Sequence, residues 1–187
     1  ISRLMEEAGI YYYFEHKNGE HSLVLCDSSA AHKPYPEYET LRFRSTGFDE
    51  NNQNSIYEFT TETRIRPGTV TSLDYDYLNT DKDLIARKNV ERPHKGEEFE
   101  IFEYPGNYTV LNDGEKITNI RAEELHSKYE ISTGQSNIPG ICAGYKFTLE
   151  NCKPDSLNKE YLVISAEYSL VTIEGIDLLK GVQPTDT

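Results

Sequence analysis

The chain is short of the residues that build covalent or metal-bound frameworks. Its 187 residues contain no Trp, one Met and three cysteines, at Cys26, Cys142 and Cys152. An odd number at wide spacing matches neither a disulfide framework nor a zinc pattern. Synthesis in a reducing compartment is the simple interpretation. Cys26 lies in an apolar strand pattern, where cysteine usually acts as a small hydrophobic residue.

Basic residues and long apolar runs are also scarce. The 19 Lys and Arg stand against 32 Asp and Glu, a net charge of -13, which argues against a nucleic-acid or anionic-membrane binder. No apolar run approaches the roughly 20 residues of a membrane span. The N-terminus lacks the basic start and apolar core of a signal peptide. Because the chain lacks an initiator Met and begins inside a helix pattern, we expect a fragment of a longer protein.

The residues that are abundant favour a packed sheet protein. The composition is 36% hydrophobic, with fourteen Tyr and seven Phe, so the chain can bury a core and is rich in strand-forming aromatic residues. Predicted strands, interrupted by one helix, give an α+β fold, mainly antiparallel β. The length allows one large or two small domains.

The first 28 residues have the clearest local pattern. Residues 1–8 are predicted helical with Gly9 as the cap, and residues 10–16 and 22–27 are predicted strands. Asn18-Gly19 between them predicts a hairpin with a type I′ turn, in which both central residues need positive φ.

Both faces of that hairpin carry apolar side chains. Tyr12 and Phe14 share one face, and Tyr11 and Tyr13 share the other. We therefore expect the hairpin to be covered on both sides.

The remaining elements follow from alternation, turn residues and helical periodicity. A connecting loop is predicted over 28–56 and another over 82–96, and Pro67-Gly68 predicts a second hairpin over 56–78. A helix over 113–129 would bury Ile117, Ile120, Leu125 and Tyr129. Further strands are predicted at 40–44, 98–103, 130–133, 144–149 and 160–172. We predict a first segment at 1–55, a second domain at 56–174 and a linker at 175–187.

One acidic pair invites a catalytic or metal-binding interpretation. Asp74 and Asp76 are two residues apart, so on a strand they would share one face, with Tyr75 and Tyr77 toward the core. Paired carboxylates can hold a metal or perform acid–base chemistry. A polar strand face bonded to a neighbouring loop is the favoured alternative.

The histidines and the standard nucleotide and nucleophile motifs give no stronger signal. None of His16, His21, His32, His94 and His126 forms an HxH or HExxH spacing. His16 and His21 flank the turn and are predicted to face each other, as a surface pair in preference to a metal site. GxSxG, GxGxxG and P-loop motifs are lacking. We therefore predict no catalytic, cofactor-binding or metal residues, and no enzyme.

Four motifs occur in the order of a known family. They are SRLMEEAGIYYYFEHKNGEHSLVLCDS at 2–28, Arg66-Pro67-Gly68 followed by Asp74-Tyr75-Asp76-Tyr77, EYPGNY at 103–108 and NKEYLVISAEYS at 158–169. Over most of residues 2–171 the chain resembles the hub-like region of VgrG, the spike protein of bacterial type VI secretion. The helix at 113–129 is more acidic than is usual in the family, and the loop at 45–55 is less typical.

The resemblance implies a structural role in a large assembly. The family's hub is barrel-like, is related to the baseplate hub of contractile phage tails, and forms a homotrimer whose ring docks on the Hcp tube. Baseplate proteins are further partners. An OB-fold, a β-helical needle, a PAAR tip and effectors belong to regions that this chain lacks. Such a protein is assembled in the bacterial cytoplasm and exported without a signal peptide to the extracellular space or a target cell.

Within this interpretation, the helix and hairpin at the N-terminus form a structural joint, and the strands at 56–78 and 160–172 are candidates for building the ring.

Two alternative functions remain. One is a hub of a contractile phage tail or a related injection particle. The other is a hydrolase that uses Asp74 and Asp76.

Overall fold

The computed structural model describes residues 1–45, 54–90, 96 and 98–169. Its two α-helices are α1 (Ser2–Glu7) and α2 (Leu111–Ser127). Its strands are β1 (Tyr11–Lys17), β2 (Glu20–Cys26), β3 (Thr40–Phe43), β4 (Ser55–Thr63), β5 (Thr69–Leu73), β6 (Ile85–Asn89), β7 (Glu100–Glu103), β8 (Glu130–Ser136), β9 (Lys146–Glu150) and β10 (Glu160–Leu162). Short 3-10 turns cover Ser29–Ala31 and Asp155–Leu157. The α+β class is therefore confirmed.

The strands form three sheets. β1 and β2 pair alone, a five-stranded sheet has the order β10-β9-β3-β4-β8, and a three-stranded sheet has the order β6-β5-β7. β3 is parallel to both β4 and β9, and β5 is parallel to β7. The longer ladders are antiparallel, so antiparallel pairing predominates as predicted, although three strand pairs are parallel. The larger sheet curls into a half-barrel, which is less than the barrel-like domain that we expected.

Each of the two larger sheets has its own core. The five-stranded sheet buries an aliphatic cluster of Leu41, Ile56, Ile138, Leu149 and Cys152, flanked by aromatic side chains. The three-stranded sheet buries a smaller cluster of Leu84, Ala86 and Tyr108 beneath α2. Fully burying one such aliphatic side chain stabilises the fold by about 1.5–3 kcal/mol, so the first cluster contributes most.

The predicted second hairpin at 56–78 is wrong. β4 and β5 lie in different sheets. Arg64 extends the β4–β8 ladder by donating its N–H to the Tyr129 carbonyl, and the Gly68 carbonyl then accepts from Val90 in the next sheet. Pro67 has no N–H to continue either ladder, so the Pro-Gly turn carries the chain from one sheet to the other.

Three predicted strand boundaries also need correction. Residues 82–96 are not all loop, because β6 lies within them and pairs with β5. β5 ends at Leu73, so Asp74 and Asp76 lie in a loop. The predicted strand at 160–172 is limited to β10 up to residue 169, and residues 170–172 lie outside the described residues.

Helix α2 packs its smallest side chains against the sheet. Its buried residues are Gly114, Thr118 and Ala122, spaced four apart along one face. The predicted stripe of larger residues at 117, 120, 125 and 129 is only partly buried. A Cβ atom on Gly114 would lie 2.4 Å from the Tyr108 ring, so the close approach of helix and ring requires glycine.

Strand pairing joins the two predicted segments, 1–55 and 56–174. β3, from the first predicted segment, pairs with β4 and β9 of the second, so the two predicted segments contribute to one sheet. The predicted linker at 175–187 lies outside the described residues.

Candidate functional site: the EYPGNY loop and the N-terminal hairpin

Asp74 is a loop-forming residue. Its carboxylate accepts the backbone N–H of Tyr75 at 2.6 Å and that of Tyr108 at 3.2 Å. These backbone donors, chiefly Tyr75, hold the pKa of Asp74 below its usual value. The contact with Tyr108 joins the end of β5 to the EYPGNY loop, residues 103–108.

Asp76 is buried, and both of its carboxylate oxygens accept hydrogen bonds. It accepts the Lys82 ammonium at 2.8 Å, the Leu78 N–H at 3.0 Å and the Asn79 amide at 3.2 Å. The hydrogen bond from Lys82 is the largest cause that lowers the pKa of Asp76 to about 2, with Asn79 next. The carboxylate is therefore an anion held by structural donors.

These contacts argue against the hydrolase alternative. Each of Asp74 and Asp76 has its own set of donors, which for Asp74 includes Tyr108 of the EYPGNY loop. Tyr75 and Tyr77, predicted to face the core, are exposed instead, Tyr77 by 78%. Their orientation is the reverse of the prediction because the strand alternation stops at Leu73. Within residues 1–45, 54–90, 96 and 98–169, no group of three or more His, Cys, Asp or Glu side chains is placed to hold a metal.

Tyr108 locks the EYPGNY loop to the small core. Its hydroxyl lies 2.8 Å from the Ser72 carbonyl and 2.7 Å from the Leu84 carbonyl, so one proton is shared between β5 and the segment before β6. Gly106 donates its N–H to the Leu73 carbonyl at 3.0 Å. A Cβ on Gly106 would lie 2.2 Å from the Tyr108 ring and is therefore excluded.

One face of the β1–β2 hairpin is attached to the rest of the chain. The Tyr11 hydroxyl lies 2.8 Å from His32 Nε2, and His32 Nδ1 lies 2.7 Å from the Gly144 carbonyl. Because a carbonyl only accepts, His32 donates from Nδ1 to Gly144, and its Nε2 bonds the Tyr11 hydroxyl. The Tyr13 ring covers Gly144 so closely that a Cβ there would lie 2.1 Å from it.

The opposite face of the hairpin is uncovered among the described residues. Tyr12 pairs with Leu25, and Phe14 pairs with Leu23. We call these four residues the open hairpin face; each side chain is about half exposed, between 49% and 57%. The expectation of cover on both sides is therefore met on one side only.

The hairpin turn and helix α1 differ in how well the sequence predicts them. Gly19 has the positive φ of 75° that the turn requires, but Asn18 does not have positive φ. The turn is therefore not type I′, although the two strands and their two-residue connection are as predicted. Helix α1 ends before Gly9, which has φ of 70°, and it buries none of its own residues.

The histidine pair is where the sequence places it. His16 and His21 face each other across the turn, with their Nδ1 atoms 2.7 Å apart. Sequence reasoning missed His32, Tyr108 and Gly144, whose importance depends on contacts between residues far apart in the chain. The glycines of the EYPGNY loop and of Ala143-Gly144 were the only local signal.

A model of the phage tail baseplate hub family matches residues 1–172. The chain belongs to this family. It is 34% identical to the type VI secretion system spike protein VgrG1a and 32% identical to VgrG1b, both of Pseudomonas aeruginosa, over 91% of its length. It is also 26% identical, over 90% of its length, to the actin cross-linking toxin VgrG1 of Vibrio cholerae.

The matched region is the hub part of much longer relatives. The chain covers 27% of VgrG1a, 23% of VgrG1b and 15% of the Vibrio protein. It is a VgrG-like region of the baseplate hub family, which is a family of structural hubs. VgrG1a and VgrG1b are named as spike proteins of the type VI secretion system. No helix in the described part of the chain is long and apolar enough to cross a membrane.

Proposed function

We propose that the chain is part of a homotrimeric hub that connects the Hcp tube to the puncturing needle of a type VI spike. The observation that carries this proposal is the family match over residues 1–172, together with relatives that are named type VI spike proteins. Baseplate proteins are further partners. A PAAR tip and effectors would bind regions beyond these 187 residues.

The open hairpin face supports an assembly role. It places Tyr12, Phe14, Leu23 and Leu25 together on the surface of a chain whose net charge is -13. Because an uncharged patch avoids the repulsion between like-charged copies and aromatic residues are enriched at interfaces, we propose that this face contacts another copy in the trimer.

The attached hairpin face supports the joint. Tyr11, through His32, and Tyr13 tie the hairpin to Gly144, just before β9. We propose that residues 1–55, which include helix α1 and this hairpin, are fixed rigidly against a barrel-like hub domain at 56–174, with β3 pairing into its sheet. A spike that transmits force requires stiffness at this point.

Export of Hcp tests the proposed function. In a strain where the full-length gene is the only spike gene, deletion should abolish Hcp in the culture supernatant, and the full-length gene should restore it. Hcp within the cells should remain, which separates export from expression. Unchanged Hcp release after deletion would contradict the secretion role. The same design tests the proposed route, assembly in the cytoplasm and export without a signal peptide, by following the hub protein itself in the supernatant.

A phage-tail hub is the second candidate, and the name of the matching family favours it. Tail sheath and lysis genes beside the gene would support a phage particle. Secretion ATPase and effector genes would support the type VI spike.

A further inference from the structure

His16 and His21 have the geometry of a chelating pair. They are directly opposite residues of β1 and β2, next to the two-residue turn. Their Nδ1 atoms are 2.7 Å apart and their ring planes cross at 72°. Both rings are exposed, and Phe14 stacks on His16 with 6.2 Å between ring centroids. The strand ladder places the two residues directly opposite each other, which brings their rings within this distance.

The short contact means that the two Nδ1 atoms face each other across the hairpin. A hydrogen bond between imidazoles needs one N–H donor and one lone pair, so both Nδ1 atoms are directed into the space between the rings. A neutral imidazole can carry its proton on Nε2 instead. When both rings do so and each turns about its exposed side-chain bonds, the two lone pairs can converge on one metal ion beside the line between the nitrogens.

The spacing selects the class of metal. With metal–nitrogen bonds of about 2.0–2.1 Å, two neighbouring nitrogens lie about 2.9 Å apart at a right angle and about 3.4 Å apart at a tetrahedral angle. The pair therefore has to open less for square-planar or tetragonal coordination, which nickel(II) and copper(II) prefer with nitrogen ligands.

We propose that His16 and His21 bind one nickel(II) or copper(II) ion through both Nδ1 atoms, with water completing the coordination. The donor ring loses its Nδ1 proton to solvent and gains one at Nε2, so two neutral rings bind the ion with no net proton exchange and no oxidation. The ion would link β1 to β2 beside the open hairpin face.

Titration with Ni²⁺ tests the site without reference to the secretion role. Ni²⁺ is the better probe, because Cu²⁺ can oxidise the free thiols of Cys26, Cys142 and Cys152. The untagged chain should bind one Ni²⁺ by calorimetry. Each of His16→Gln and His21→Gln should weaken binding at least about 10-fold. The double variant should be little weaker than either, since loss of one ligand already ends chelation.

His94→Gln is the matched control, because it removes one histidine and keeps the pair. It should bind Ni²⁺ like the parent chain. Ni²⁺ should also raise the Tm of the parent and of His94→Gln, but not of the other variants. Unchanged affinity in either single variant of the pair, or one Ni²⁺ shared by two chains, would overturn the proposal.

Discussion

At the scale of single residues, the best-defined feature is the set of polar groups that hold the EYPGNY loop. Tyr108 and Asp74 bond groups from another part of the chain, and Asp76 fixes the neighbouring loop through Lys82. None of them has a sequence signature of burial, since Asp and Tyr are common on surfaces. The contribution of each side chain to the free energy of unfolding can be measured in variants that remove one polar group at a time.

We expect Tyr108→Phe to destabilise the fold without changing its shape. The substitution removes the hydroxyl that the Ser72 and Leu84 carbonyls share and leaves buried acceptors without their donor. The free energy of unfolding should fall by about 1–3 kcal/mol, which lowers Tm by several degrees. Thermal unfolding by circular dichroism measures this. Tyr104→Phe, in the same loop but exposed, is the control and should leave Tm unchanged.

Ionisation of Asp76 should make the free energy of unfolding depend on pH in the acidic range. Its folded pKa is lowered to about 2 from an ordinary 3.8, so its contribution is complete above pH 3.8 and is lost as the pH falls through about 2. Urea unfolding of the parent and of Asp76→Asn should show a stability difference that shrinks between pH 4 and pH 2. A difference that stays constant over this range would show that ionisation of Asp76 is not the cause.

At the scale of elements, local signals predicted what a segment forms better than what it pairs with. Asn18-Gly19 and Pro67-Gly68 look alike as turn signals. The first joins two paired strands, whereas the second joins two sheets, because partner choice depends on distant strands. β6 was missed because its sequence, IARKN, is polar, as is usual for a sheet edge. The long helix was predicted from its period, but its contact surface was not, because small residues make that contact.

Substitutions of Gly144 and Gly19 test how the β1–β2 hairpin is attached to the segment before β9. Gly144 and Gly19 both have positive φ, 88° and 75°, but an added Cβ at Gly144 would meet the Tyr13 ring, whereas at Gly19 it would meet open space. Gly19→Ala should therefore cost only the backbone strain, about 1–2 kcal/mol, and Gly144→Ala should cost more.

Hydrogen exchange measures where that extra cost falls. In Gly144→Ala, amides of β1 and β2 should exchange faster than those of β4 and β8. In Gly19→Ala, any change should stay near the turn. Equal effects of the two substitutions on the whole hairpin would contradict an attachment through Tyr13.

At the scale of the whole molecule, charge and apolar surface act in opposite directions. The net charge of -13 opposes association of copies, while the open hairpin face favours it. Sequence reasoning identified these apolar residues but expected them to be covered. The family assignment, in contrast, was available from the order of four motifs and is confirmed.

We expect Tyr12→Ser/Phe14→Ser to weaken the oligomer of the full-length protein. Loss of two half-exposed aromatic groups from a contact removes about 3 kcal/mol or more of burial, a roughly 100-fold weaker association. Light scattering across a dilution series measures it. Tyr75→Ser/Tyr77→Ser removes two exposed tyrosines from a loop and should leave the oligomer intact. An equal effect of both double variants would remove the open hairpin face as the contact.

The parallel strand β3 has a consequence for how the chain is made. Thr40 pairs with Thr148 in β9, so one side of β3 has no partner until that late strand has been synthesised. At about 5–20 residues per second, β9 leaves the ribosome roughly 5–20 s after β3. During that interval the Leu41 side chain, which ends 2% exposed, lacks its neighbour Leu149. The nascent hub therefore presents an incomplete sheet to the cell for seconds, a period in which chaperones have access to it.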